Sequence, residues 1–209
     1  MGYAYKRFSH GMLGSNTYLL WETETGEGLV IDPGNPPDEV EKFTSENNIS
    51  VKYIALTHAH YDHVLYIAEY KEAFGAPCAC TQEENHNLTV PYLNASTMFG
   101  SAESYEPADI IVDEGYRFGI GADGGPTVIK TPGHTSGGIC ISAGNLLFTG
   151  DTLFYGSFGR TDLGDGSTKA LSQSIDRLYA MDDDTVILPG HGTFSTIGRE
   201  RRENPFWEF

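Results

Sequence analysis

The chain has 209 residues, 39% of them hydrophobic and 20% charged, and its 29 acidic against 13 basic residues give a formal net charge of −16. That length and composition suit one folded domain over 1–209 with a sizeable core, and the sequence has no run of 18 apolar residues that would cross a membrane as a helix. The acidic balance argues against nucleic acid as a partner, because displacing counterions from phosphates needs Lys and Arg, and the densest basic stretch, Arg199-Glu200-Arg201-Arg202, is one helical turn.

The start, Met1 to Arg7, lacks the apolar core of a secretory signal, so the cytoplasm is the expected location. Strands are predicted over 15–21 and 28–32, then a helix over Asp38–Glu46. The next strand, 51–57, is β-branched, aromatic and apolar, and it runs into Thr57-His58-Ala59-His60-Tyr61-Asp62-His63. Residues two apart in extended chain point the same way, so His58 and His60 can face one metal ion. If the chain then turns into a helix over Val64–Phe74, Asp62 and His63 are redirected to a second point nearby. One segment can therefore serve two metals.

A strand over 76–81 carries Cys78 and Cys80, which are expected to face opposite ways; with Cys140 they read as buried reduced thiols. Asn87 to Pro107 shows no period and is expected to be a loop over the edge of the site. Strands follow at 109–113 and 126–131, the latter leading into the glycine-rich turn Pro132-Gly133-His134-Thr135. Two more, 138–142 and 145–149, end at Gly150-Asp151. A helix is predicted over Thr168–Ala180, capped by Ser167 or Thr168, with Leu171, Ile175 and Leu178 at helical spacing. Strand 185–188 leads into Pro189-Gly190-His191-Gly192, and the last helix covers Ile197–Glu203. Four apolar strands thus each run into a turn bearing ligand-type residues, as when loops at one end of a sheet build a site. Asp62 or Asp151 alone could be a helix cap, and His134 or His191 alone a hydrogen-bonded side chain. Such roles leave the clustered imidazoles without a purpose. With no Cys among these residues, the donors are nitrogen and oxygen only, which suits zinc, iron or manganese.

The series His58, His60, Asp62, His63, His134, Asp151 and His191 resembles the H-x-H-x-D-H, His, Asp, His signature of the metallo-β-lactamase superfamily. Ser15 to Leu20 and Leu29 to Gly34 look like the first strands of that fold. Gly150-Asp151-Thr152-Leu153-Phe154 through Gly159-Arg160-Thr161-Asp162-Leu163, together with Pro189-Gly190-His191-Gly192, Thr196 to Arg201 and Asn204-Pro205-Phe206, looks like the glyoxalase II branch. The resemblance implies an α/β fold, a four-layer αβ/βα sandwich with the metal site at one edge of its two sheets. It also implies two divalent ions, zinc first, with iron or manganese as alternatives. His58, His60 and His134 would hold one, Asp62, His63 and His191 the other, and Asp151 would bridge them. Glyoxalase II proper has a C-terminal helical domain that helps hold glutathione; this sequence stops at Phe209, so that domain is expected to be missing.

The implied chemistry is hydrolysis, with Asp62 and Asp151 serving catalysis as well as binding. Two ions about 3.5–4 Å apart acidify a shared water toward neutrality and polarise a carbonyl. A thiol, with a pKa near ~8.5, leaves as thiolate without a proton donor. An amide nitrogen needs one, so a thioester such as lactoylglutathione is the expected small-molecule substrate. Arg160 matches a basic residue that touches glutathione in the branch; the other role open to it is a pair with Asp162. Tyr155, Phe158, Phe206, Trp207 and Phe209 could line a pocket or pack the C-terminus, and packing is the expectation. Two other functions fit the resemblance: a persulfide dioxygenase with one iron, and a non-catalytic metal-binding member. Retention of all seven ligands and the Pro-Gly-His-Gly turn favour the hydrolase.

Overall fold

Alternation of side chains along the strands decides the architecture. The computed structural model describes residues 2–122 and 124–205. The first half of the chain forms a six-stranded sheet in sequence order: β1 (Tyr3–Phe8), β2 (Thr17–Glu22), β3 (Glu27–Ile31), β4 (Ser50–Ala55), β5 (Cys78–Cys80) and β6 (Ile110–Ile111). β1 to β3 pair antiparallel, and β3 to β6 parallel. The second half supplies β7 (Thr127–Lys130), β8 (Ile139–Ala143), β9 (Leu146–Gly150), a two-stranded ribbon of β10 (Leu153–Phe154) and β11 (Ser157–Phe158), then β12 (Val186–Pro189) and β13 (Ser195–Thr196). Its five-stranded sheet runs β13-β12-β9-β8-β7, with β12 parallel to β9.

Three apolar layers separate four layers of structure. Leu20, Leu29, Ile31 and Ala55 from the first sheet meet Val128, Ile139, Ile141, Phe148 and Leu188 from the second. Their neighbours point the other way: Leu19, Val30 and Ile54 pack against α1 (Asp38–Asn47), the short α2 (Tyr61–Val64), α3 (Ile67–Phe74) and α4 (Gln82–Thr89), contributing Val40, Val64, Tyr70 and Leu88. On the far side, Cys140, Leu147 and Ile187 meet Leu171, Ile175 and Leu178 of α5 (Thr168–Tyr179) and Ile197 of α6 (Ile197–Glu203). This is the four-layer αβ/βα sandwich, each sheet apolar on both faces, as buried sheets are.

The structure departs from the sequence reading in definite places. The helix expected over Val64–Phe74 is split into α2 and α3 at Leu65 and Tyr66, because the Tyr66 N–H donates to the Pro33 carbonyl at 3.0 Å. The Asp62 carbonyl, its helical partner, instead accepts the Ser15 hydroxyl at 2.8 Å. Asn87 to Pro107 is not all loop, since Asn87 to Thr89 complete α4 and a single 3₁₀ turn covers Ser96–Phe99. β1 carries no clear strand signal in the sequence because Lys6 and Arg7 interrupt its alternation; it is an edge strand, registered Tyr3 to Glu22 through Phe8 to Thr17. Cys78 and Cys80 do not face opposite ways. The same two-residue repeat that aligns His58 with His60 puts both thiols in the outer core and Ala79 in the inner one. All three cysteines are free and buried, and burial pushes the Cys78 and Cys140 thiols up to about 12. Phe158 packs on the third core, whereas Tyr155 is exposed, with the Arg199 guanidinium 3.6 Å over its ring. Phe206, Trp207 and Phe209 lie outside the described residues. Among those described, no helix is long and apolar enough to cross a membrane.

Candidate metal centre

Five strands deliver polar side chains to the same edge of the sandwich. β3 ends before Asp32, β4 before Thr57-His58, β7 before His134, β9 before Asp151 and β12 before Gly190-His191. The His191 turn is tied back to the start of β2, where the Asn16 N–H donates to the Gly190 carbonyl at 2.7 Å and its amide to the Pro189 carbonyl at 2.8 Å. Gly190 has no room for a side chain: a Cβ there would lie 2.7 Å from His63 Cε1.

All seven expected residues converge. His58, His60 and His134 form one cluster and Asp62, His63 and His191 another, with candidate ligand atoms within 4.8 Å of one another in each. In the first, His134 Nε2 is 2.8 Å from His60 Nδ1. In the second, His63 Nε2 is 3.1 Å from His191 Nε2, and Asp62 Oδ2 is 3.1 Å from His191 Nε2. Asp151 sits between them, 3.4 Å from His63 Nε2 through Oδ1 and 3.6 Å from both His134 Nε2 and His191 Nε2 through Oδ2. His58 Nε2 and Asp151 Oδ1 are buried with no hydrogen-bond partner. Buried polar atoms are normally satisfied, and two orphans among converging imidazole nitrogens are what a pair of cation sites leaves. The donor set fits divalent ions.

The electrostatics divide the centre. Burial and the neighbouring imidazoles hold His58 and His60 well below the ordinary histidine range, hence neutral with free lone pairs. Burial pulls His63 the same way, but Asp62, Asp151 and Asp32 outweigh it and push it up to about 10. His191 is raised because the Asp62 hydrogen bond and Asp151 overcome its burial. Burial would raise the Asp62 carboxyl, yet His63 and His191 hold it well below the usual carboxylate range.

Two supporting residues went unrecognised in the sequence. Asp32 is buried in the left-handed region at φ 54°; it accepts the Thr57 N–H and hydroxyl, each at 2.7 Å, and its Oδ2 is 3.2 Å from His63 Nδ1. A ligand role in a third grouping with His58 and His63 is less apt, since both its oxygens are already engaged. It fixes the His63 ring, as second partners of metal-bound histidines do. Its signal was legible: a carboxylate directly after an apolar strand, as at Asp151. The other is Glu84, fully buried and bonded to the Ala59 N–H at 2.7 Å. Arg160 acts here through its backbone: its carbonyl accepts from His134 Nδ1 at 2.8 Å, while the exposed guanidinium pairs with Asp162 at 2.7 and 2.8 Å.

Comparison with known proteins agrees with this geometry. The Metallo-beta-lactamase superfamily profile matches residues 10–191. Hydroxyacylglutathione hydrolase GloC of Haemophilus influenzae is 32% identical over 203 residues, covering 91% of this chain and 92% of that protein. The crystal structure of BLEG-1 B3 metallo-beta-lactamase superposes with a TM-score of 0.89 at 31% identity, covering 97% of this chain and 99% of that one. TTHA1623 in a di-iron-bound form gives a TM-score of 0.84 at 33% identity, covering 96% of this chain and 99% of that one. With its sandwich fold, its seven convergent His and Asp side chains and a profile match across most of its length, the chain belongs to the metallo-beta-lactamase superfamily, whose fold implies divalent metal ions.

Proposed function

We propose that this protein is a binuclear metallohydrolase of thioesters, with lactoylglutathione as the representative substrate. The observation that carries the reading is the pair of three-residue clusters with Asp151 between them. His58, His60 and His134 would hold one divalent ion, Asp62, His63 and His191 the second, and Asp151 would touch both. Bound ions would supply an acidified water as nucleophile and Lewis-acid polarisation of the substrate carbonyl. Zinc fits the nitrogen and oxygen donors first, and iron or manganese fits the same set.

The chain's own residues order the site. His58 and His60 are kept neutral by burial, so their lone pairs are available without proton loss. Asp32 on His63 and the Arg160 carbonyl on His134 fix two ring orientations. A thiolate leaving group requires no proton donor. The exposed Arg160 guanidinium, paired with Asp162, would exchange that partner for an anionic thiol carrier. The likeness to the hydroxyacylglutathione hydrolase supports the same substrate class.

The test gives the metal-replete protein lactoylglutathione, other acyl thioesters, a β-lactam and glutathione persulfide in parallel, following thiol release, ring opening and oxygen uptake. Thiol release is expected, and Arg160→Ala should raise KM for the glutathione ester more than it lowers kcat, since Arg160 would grip the carrier and not the reacting carbonyl. Oxygen uptake with the persulfide and no thiol release from any ester would replace this reading with the dioxygenase.

A further inference from the structure

Glu84 is a carboxylate buried from solvent, with no cation beside it among the described residues. It lies on α4, fully buried, and its two oxygens hold two loops from different sheets. Oε2 accepts the N–H of Ala59, the residue between His58 and His60, at 2.7 Å. Oε1 accepts the N–H of Gly137, three residues beyond His134, at 3.0 Å. The grip extends along the helix. Asn87 donates to Glu84 Oε2 at 3.4 Å and to Asp165 Oδ2 at 3.1 Å, and the Ser136 hydroxyl donates to that same Asp165 oxygen. The Thr81 hydroxyl, at the N-cap of α4, donates to the Gly137 carbonyl at 2.9 Å. Contact is close enough to require glycine: a Cβ on Gly137 would come within 2.9 Å of the Glu84 nitrogen.

Burying a carboxylate without a counter-charge is costly, and here burial pushes its pKa up to about 7. Such a group persists where its hydrogen bonds accomplish something. Its backbone partners lie in the two loops that carry this cluster, Ala59 between two of its histidines and Gly137 three residues past the third, and neither is itself a candidate ligand.

We propose that Glu84 is the positioning residue of the His58, His60 and His134 cluster, joining its two loops so that the three imidazoles are spaced before any ion arrives. The inference rests on the binuclear reading and gives the first half of the centre a buried carboxylate of its own, Glu84, beside Asp32, which orients His63 and also holds Thr57 next to His58. The Ile139 N–H, donating to the Thr57 carbonyl at 2.9 Å, ties the same loops again, so loss of the Glu84 bond should loosen the cluster without unfolding the protein.

The test is Glu84→Gln, whose amide can accept one of the two N–H groups but turns a donor toward the other. Metal-free protein is titrated with zinc against a chelating dye, and with cobalt(II) followed by its absorption spectrum. His191→Ala isolates the first cluster and His134→Ala the second. In the His191→Ala background, Glu84→Gln should weaken binding about 10–100-fold, the range for outer partners of metal sites, and alter the cobalt spectrum. In the His134→Ala background, binding should stay within about twofold. Unchanged affinity at the first cluster, or an equal loss at both, overturns the proposal. Should Glu84→Gln not fold, Asn87→Ala is read in the same way, with a smaller loss confined to the first cluster. Otherwise unsubstituted protein that stops at one metal equivalent refutes the binuclear reading, a result obtained without any Glu84 substitution.

Discussion

Asp151 is the residue on which the centre turns. Its carboxylate lies within 3.6 Å of imidazoles from both clusters, and its Oδ1 is buried without a hydrogen-bond partner. Asp151→Ala should therefore lower occupancy at both positions together and remove nearly all activity, while His191→Ala should empty mainly the second; elemental analysis beside a turnover assay reads both. Retention of full metal by Asp151→Ala would show that it bridges nothing. At this scale much was legible in the sequence, because a ligand announces itself by type and spacing. The supporting partners announce less: Asp32 shows only as a carboxylate after an apolar strand and Glu84 as an acid at capping-box spacing, and their roles depend on what folds against them, Thr57 and His63 in one case, Ala59 and Gly137 in the other.

At the scale of the element, α4 is the instructive piece. Half of its eight residues, Gln82, Glu83, Glu84 and Leu88, are good helix formers, and Thr81 and Glu84 have the spacing of a capping box. The Thr81 hydroxyl does accept the Glu84 N–H at 3.3 Å. The Glu84 carboxylate does not return to the cap; it leaves for Ala59 and Gly137. A half-used capping signal thus marks a side chain recruited elsewhere. Thr81→Ala removes both the cap and the bond to the Gly137 carbonyl, so it should cost about 0.5–2 kcal/mol, the usual range for an N-cap, measured by denaturant unfolding of the metal-free protein. No loss would mean that α4 is held by Leu88 and its packing alone. α5 is the contrary case: Leu171, Ile175 and Leu178 repeat at helical spacing and Ser167 caps it, accepting the Ala170 N–H at 3.3 Å, so its place was readable in advance.

For the whole molecule, the centre is a seam between two sheets, filled with converging polar groups of which His58 Nε2 and Asp151 Oδ1 have no hydrogen-bond partner. Stripping metal should lower the melting temperature, because ions that bind only the folded form stabilise it, by about 2.7 kcal/mol at a concentration 100 times Kd. Thermal unfolding with chelator and after zinc is restored measures this, and identical curves would count against structural coupling between the ions and the fold. The sequence by itself determined most strand positions and the ligand-type residues at their ends, since strand period and ligand spacing are local properties, while its resemblance to the superfamily implied the sandwich and the seven-residue set. Tertiary structure decided the rest: the break at Tyr66 made by Pro33, the pairing of Arg160 with Asp162, and the two buried carboxylates behind the histidines. Most of these are contacts between residues distant in the chain, where a hydrogen bond to a remote backbone outcompetes the local preference, and no local pattern encodes its partner.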